Sequence, residues 1–378
     1  MHTTPEVLLL SCTGSHGGRC SVVLPVIALL VSATLVQERP APRDSLPRSR
    51  LTALPVVSYS EVTGLQYGAT VFRSFRVGAD PSARPSSLAL YAAGTARHHT
   101  KAHIQLDRWS TQNTTRTRAR IEHISYPLPF FGAGASTPDS AEEWYSSGVS
   151  TVQLFVQRAV RPSTFIHGGA RYVRSRMRRV EAGRTLAAAQ IAGSSGSDVM
   201  TAELGLVIDS RDNTGSPRAG TYVRALPSIA SKAIGSDFAF RRLTVDARRY
   251  GTFLSRHVVA AQFQYDGLSG TAPFDHLAMI GSDSAMRGYP RGRFRDQHAI
   301  TAQAELRSAH WRRVGVVAFA GGGTVASALS KFTSRRWYPT AGIGLRYALS
   351  PRDRTVVRAD LGLGQGSFGI NVGIGEAF

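Results

Sequence analysis

The chain has 378 residues, 37 of them Gly, with 8% aromatic and 19% charged residues. Its net charge is +20, nearly all from Arg, yet the Arg residues are spread at alternate positions and no basic helix, zinc-ligand set or aromatic RNA-binding motif accompanies them, which argues against nucleic acid as a partner. The only cysteines, Cys12 and Cys20, stand near the N-terminus, so the rest of the chain has neither a disulfide framework nor a thiolate metal site.

In chain order, Arg19 precedes an apolar run from Val22 to Val36, the pattern of a signal-peptide core. Val31-Ser32-Ala33 is the best cleavage candidate, and a single membrane anchor is the alternative. Residues 1–36 are therefore expected to be a leader. The Pro/Arg-rich stretch 37–52 is expected to be a disordered linker, and 53–378 one β-barrel domain.

From Leu54 onward apolar and polar residues alternate with period two, in segments of about ten residues separated by Gly, Pro, Ser and Asp. Leu54 to Tyr59, Leu65 to Val77, Leu88 to Arg97 and His103 to Trp109 come first. Arg116 to Tyr126, Ser150 to Val160, Phe165 to Arg176 and Val199 to Asp209 follow. Next are Thr221 to Ala230, Phe238 to Tyr250, His257 to Tyr265 and His298 to Leu306. Val314 to Gly321, Tyr338 to Ala348, Thr355 to Leu363 and Ser367 to Phe378 complete the set. The expected fold is all-β: a transmembrane antiparallel barrel of about sixteen strands.

Parity assigns the faces. Thr301, Gln303, Glu305 and Arg307 share one face, with Ala302, Ala304 and Leu306 opposite; Arg358 and Asp360 oppose Val357, Ala359 and Leu361. A soluble sandwich would put the apolar face in a core, whereas a membrane barrel turns it to lipid. The export-like leader, the long loops at alternate connections (Pro127 to Gly148, Arg178 to Asp198, Gly267 to Gln297) and the terminal aromatic Phe378 favour the barrel and an outer-membrane location.

Two loop segments carry the strongest local signals. Asp209-Ser210-Arg211-Asp212-Asn213 leads through Pro217 to Gly220; it reads as a polar turn in which Arg211, between two carboxylates, can form a charge-assisted clamp. Met286-Arg287-Gly288-Tyr289 lies in a connection of about thirty residues, unusually long for an idle loop. If that loop folds into a polar lumen, an Arg–carboxylate pair is the strong anchor, and lumen-facing Glu305 and Asp360 are the candidate partners of Arg287. A solvated Arg-rich outer loop is the other reading.

At these residues the sequence resembles the C-terminal barrel of the BamA/TamA outer-membrane assembly superfamily, also called bacterial surface antigen proteins. The segment Asp209 to Gly220 is similar to its strand-turn-strand signature. Arg287-Gly288-Tyr289 is similar to the motif that anchors its sixth outer loop in the lumen. Gly373 to Phe378 resembles the C-terminal signal read by the barrel-assembly machinery. Two departures stand out. Gly321 occupies the position of an acidic residue expected two after Phe319, which leaves the partner of Arg287 open between Glu305 and Asp360. The span between leader and first strand is also too short for a periplasmic POTRA domain.

The resemblance implies a barrel that assists insertion or passage of polypeptides, requires no cofactor, and opens laterally at a seam between its first and last strands. Expected partners are outer-membrane lipids, the barrel-assembly machinery, client polypeptides or a separately encoded periplasmic protein. The rival readings are a passive anion-favouring pore and a structural surface barrel. No enzyme chemistry is legible: His98, His99 and His103 lack metal-ligand spacing, no hydrolase elbow occurs, and Gly321-Gly322-Gly323 lacks a phosphate-loop ending. Asp139, Glu142 and Glu143 read as a solvated acidic loop or a weak cation site.

Overall fold

A computed structural model describes residues 49–60, 64–78, 83–254, 256–282, 284–333, 336–350 and 354–378. The chain forms β1 (Ser49–Ser60), β2 (Gly64–Phe75), β3 (Ser86–Thr95), β4 (Thr100–Trp109), β5 (Thr115–Phe130) and β6 (Glu143–Arg161). β7 (Thr164–Val180), β8 (Ser197–Asp209), β9 (Gly220–Ala230), β10 (Phe240–Phe253) and β11 (His257–Gly270) follow. β12 (Ala278–Ile280) and β13 (Phe294–Asp296) pair with each other inside the next loop. β14 (His298–Arg307), β15 (Val314–Ala326), β16 (Tyr338–Ser350), β17 (Thr355–Gly364) and β18 (Ser367–Ile374) finish the chain.

Sixteen of these strands make one antiparallel sheet in which each pairs with its sequence neighbours, β11 passing directly to β14. This up-and-down order is the simplest way to satisfy every backbone group of a sheet that faces lipid. Among the described residues the hydrogen-bonded order begins at β1 and ends at β18. The two ends meet through side chains, since Val372 of β18 packs on the cluster of Val56, Tyr91 and Ala93.

The distribution of polarity is the inverse of a soluble protein. Large apolar side chains such as Ile104, Leu154, Leu204, Val316 and Ile343 stand outward and exposed, while Lys101, Arg118, Asp246, Glu305 and Asp360 are buried. The face assignments of Thr301 to Arg307 and of Arg358 and Asp360 follow parity, with the polar set inside. No helix among the described residues is long and apolar enough to cross a membrane.

Of the boundaries that differ from expectation, three stand out. The expected leader, and the linker up to residue 48, lie outside the described residues. The linker's last residues belong to β1, which pairs from Ser49↔Phe75 onward because β2 offers backbone rungs that far. The loop expected from Pro127 to Gly148 shrinks to 131–142, because β5 and β6 stay paired up to Phe130↔Glu143. Pro127 and Pro129 sit past the last rung to β4 (Thr100↔Ser125), where one side of the strand has no partner and a missing N–H is tolerated. Finally, the strand expected to reach Phe378 ends at Ile374; Gly375 takes φ +85° and turns the chain inward.

The connections at one end are mostly tight, as at 162–163, while the other end carries 131–142, 181–196 and 271–297. Short turns mark the periplasmic end and long loops the outer one. An Arg on the lipid face should cost most at mid-strand. Leu204→Arg is expected to lower stability by about 2–4 kcal/mol and Ile208→Arg, at the periplasmic end of the same strand, by about 0–1 kcal/mol, read from urea unfolding in lipid vesicles.

Candidate functional site: a charged lumen cluster

The loop 271–297 enters the barrel rather than lying over it. Its apolar residues Ala278, Ile280, Met286, Tyr289 and Phe294 form one cluster with wall residues that include Val199, Phe240, Leu268 and Val325. The short β12–β13 hairpin satisfies part of the loop's own backbone. Its tip is fixed by close approach: Gly288 has φ +113°, and a Cβ there would lie 2.6 Å from the Leu363 carbonyl carbon. Only glycine lets the tip rest on the β17 backbone. Ser367 Oγ donates to Gly288 O at 2.7 Å, and the Thr340 hydroxyl donates to Arg287 O. Tyr289 Oη donates to Pro339 O and accepts from the Gln365 amide, each at 2.8 Å.

Arg287 is fully buried. Its Nη1 donates to Asp360 Oδ2 at 2.8 Å, and its Nη2 lies 2.5 Å from Glu305 Oε1 as an ion pair outside hydrogen-bond geometry. The guanidinium centre lies 3.5 Å from the Phe319 ring centroid, a cation–π contact that covers one face of the cation. The structure thus brings Arg287 to both sequence candidates, Glu305 on β14 and Asp360 on β17. Gly321, at the expected acidic position, leaves β15 without a carboxylate there, and Phe319 supplies the ring instead.

Three more arginines complete the cluster. Arg307 pairs with Glu305 at 2.8 Å, Arg358 with Asp360 at 3.1 Å, and Arg346 with Asp360 at 2.5 Å and Glu376 at 2.7 Å. Opposite charges in a place shielded from water attract strongly, but each ion left unpaired there carries a large desolvation cost. Arg346 and Glu376 were missed in the sequence. Alternation does place Arg346 on the lumen face, whereas Glu376 comes inside only because the chain turns at Gly375.

The turn signature lies between β8 and β9, at the end of the barrel with the tight turns. Arg211 pairs with Asp209 at 2.8 Å and lies over the Tyr222 ring, 4.6 Å from its centroid. Asp212, the other flanking carboxylate, pairs with Arg354 of the β16–β17 turn. Burial raises the Asp212 carboxyl, but the Arg354 hydrogen bond and the amides of Arg218 and Ala219 outweigh it and hold the group below its ordinary range. Gly220 supplies φ +106° where the turn rejoins β9. Pro217 O accepts from Arg307, and Gly215 O accepts from the Glu376 amide at 3.2 Å. The turn therefore reaches across the mouth to the charged cluster and the C-terminal tail.

Gly373 lies on the lumen face of β18, and Phe378 leaves the strand altogether. Phe378 and Ala377 pack with Tyr250 and Ala260 on the far wall, and Arg307 Nη2 donates to Phe378 O at 3.0 Å. In the outer loops, Asp139 pairs with Arg293 at 2.7 Å, and buried Glu143 accepts from the Leu186 amide at 3.1 Å. Both acids stitch loops together. His99 exchanges hydrogen bonds with Thr95. No metal-holding group of His, Cys, Asp and Glu occurs among the described residues.

A family model described as the Omp85 superfamily domain matches residues 98–378. The chain belongs to the Omp85 superfamily. Its barrel is similar to that of BamA from Haemophilus ducreyi lacking POTRA domains 1-3, with a TM-score of 0.58 at 15% identity, covering 86% of this chain and 70% of that one. It is also similar to CdiB from Acinetobacter baumannii, with a TM-score of 0.53 at 12% identity, covering 87% of this chain and 60% of that one. At such identities the likeness shows the fold. No curated protein matches this chain. This Omp85-superfamily chain is a bacterial outer-membrane β-barrel.

Arg287→Ala should leave Glu305 and Asp360 short of a cation in a buried place. The expected loss is about 3–5 kcal/mol in denaturant unfolding, with faster hydrogen exchange across 271–297. Unchanged exchange in the loop would show that the apolar cluster alone holds it.

Proposed function

We propose that this barrel assists insertion or passage of polypeptides at the seam between β1 and β18. The observation that carries the reading is the seam itself: the described hydrogen-bonded order stops at these two strands. β18 has 8 residues against 19 in β6. Eight residues tilted as barrel strands are cross roughly 20 Å, short of an apolar band about 25 Å tall. Lipid beside the seam must thin to match, which lowers the barrier to an entering strand. Gly369 and Gly373 weaken side-chain packing on the last strand.

The lumen loop and its charged cluster fit the same reading. They fill the interior that a passive pore needs empty, and Ser367 ties the loop tip to the β17–β18 hairpin. A separately encoded periplasmic protein is the partner such a barrel would need to gather clients. We infer that Arg287, Gly288, Tyr289, Glu305 and Asp360 anchor the loop, that Asp209, Arg211, Asp212, Pro217 and Gly220 brace the mouth, and that Gly373 and Phe378 belong to the signal used in the barrel's own assembly.

Protein refolded into liposomes, with Cys12 and Cys20 replaced by Ser, tests the proposal. Insertion of an unfolded client barrel is expected to run faster than in empty liposomes. It should stop when Val56→Cys and Val372→Cys are joined as a disulfide and resume on reduction. Anion leak without client insertion would instead make the protein a pore.

A further inference from the structure

The lipid-facing wall carries positive charge in an uneven way. On β2, β4, β6 and β10, four outward side chains near the periplasmic strand ends are Arg73, Arg108, Arg158 and Arg249, all exposed. Each lies on the same face as apolar residues nearer the bilayer centre: Val71 on β2, Ile104 on β4, Leu154 and Val156 on β6, and Leu243 on β10. Their neighbours on the other face are lumenal, as Asp107, Gln157 and Arg248 are buried. None of the four makes an ion pair among the described residues, and Arg249 hydrogen-bonds only the Thr221 hydroxyl. At the outer rim the picture is mixed: exposed Arg174 and Arg176 both pair with Asp198, while exposed Arg241 at the outer end of β10 makes no ion pair among the described residues.

We propose that Arg73, Arg108, Arg158 and Arg249 form a basic girdle that binds anionic phospholipid headgroups of the periplasmic leaflet. Position is the first support. A lipid-facing Arg is tolerated at the interface and costly at the midplane, and its aliphatic stem lets the guanidinium reach the phosphates. Charge complementarity is the second: four forked cations without carboxylate partners match phosphate oxygens, which accept bidentate guanidinium bonds. The turns at the same level add to both. Trp311 is 76% exposed and Leu254 80% exposed, the first an interfacial anchor type, and Arg312 stacks on Trp311. The girdle goes beyond polypeptide insertion and stands whether or not the seam opens.

The test uses the full chain in phosphatidylcholine nanodiscs, with spin-labelled phosphatidylglycerol or phosphatidylcholine as the probe. Motionally restricted lipid at the barrel surface is read by electron spin resonance. A basic residue at a membrane surface is worth roughly five-fold in local affinity for anionic lipid. The expected result is a several-fold preference for phosphatidylglycerol that falls toward one in high salt and in the R73Q/R108Q/R158Q/R249Q variant. The R174Q/R176Q variant should keep the preference. Should the quadruple variant fail to fold, as judged by heat-modifiable gel mobility, each single variant is expected to lower it. A preference of one in the unaltered barrel, or the same preference in every variant, overturns the girdle and leaves these arginines to an acidic protein partner.

Discussion

Lipid cannot hydrogen-bond a peptide group, and the rest of this structure follows from that constraint. A sheet in hydrocarbon must pair its backbone strand to strand around a ring. Sixteen strands in sequence order do this with short connections at one end, each hydrogen-bonded to its neighbours from β1 to β18 among the described residues. The same constraint sorts side chains. Leu204 and Ile343 face outward because the solvent there is apolar, while Asp246 and Arg248 pair with each other inside.

A ring of this size encloses more space than its own wall residues fill, and charged groups in that space need partners. The chain supplies them from three directions. Loop 271–297 brings Arg287 from the outer end, the 209–220 turn brings Pro217 O and Gly215 O from the periplasmic end, and the inward tail brings Glu376. They meet on Arg307, Arg346, Glu305 and Asp360, which project from β14, β16 and β17. One network thus couples the lumen loop, the mouth and the strand next to the seam. Asp360 serves Arg287, Arg346 and Arg358 at once, and Arg346 carries the contacts on to Glu376 of the tail.

The wall around this network is not uniform. Strands β5 to β7 are the longest, and Phe130 and Tyr145 at their outer ends pack with Leu186 of the 181–196 loop and Phe274 of the lumen loop. Near the seam the outer connections 96–99 and 365–366 are short and the last strand is brief. The tall side holds the interior contents in place, while the low side leaves the ends of the sheet with the least backbone pairing.

Period-two alternation determined the strands and their faces from the sequence alone, since the pleat forces successive side chains to opposite sides. It set Glu305 and Arg307, and Arg358 and Asp360, on the polar face, which the export-like leader, the alternate long loops and the terminal aromatic turned inward, and Arg346 was legible by the same rule. Local pattern also marked the Arg287-Gly288-Tyr289 loop and the Asp209 to Gly220 turn as special. Only the tertiary structure decided that Arg287 takes both Glu305 and Asp360, that Asp212 pairs with Arg354, and that Phe378 turns from β18 to the far wall. These contacts join segments far apart in the chain. Alternation tells which side of the wall a residue faces, but the closure of the sheet sets which residues then meet across it.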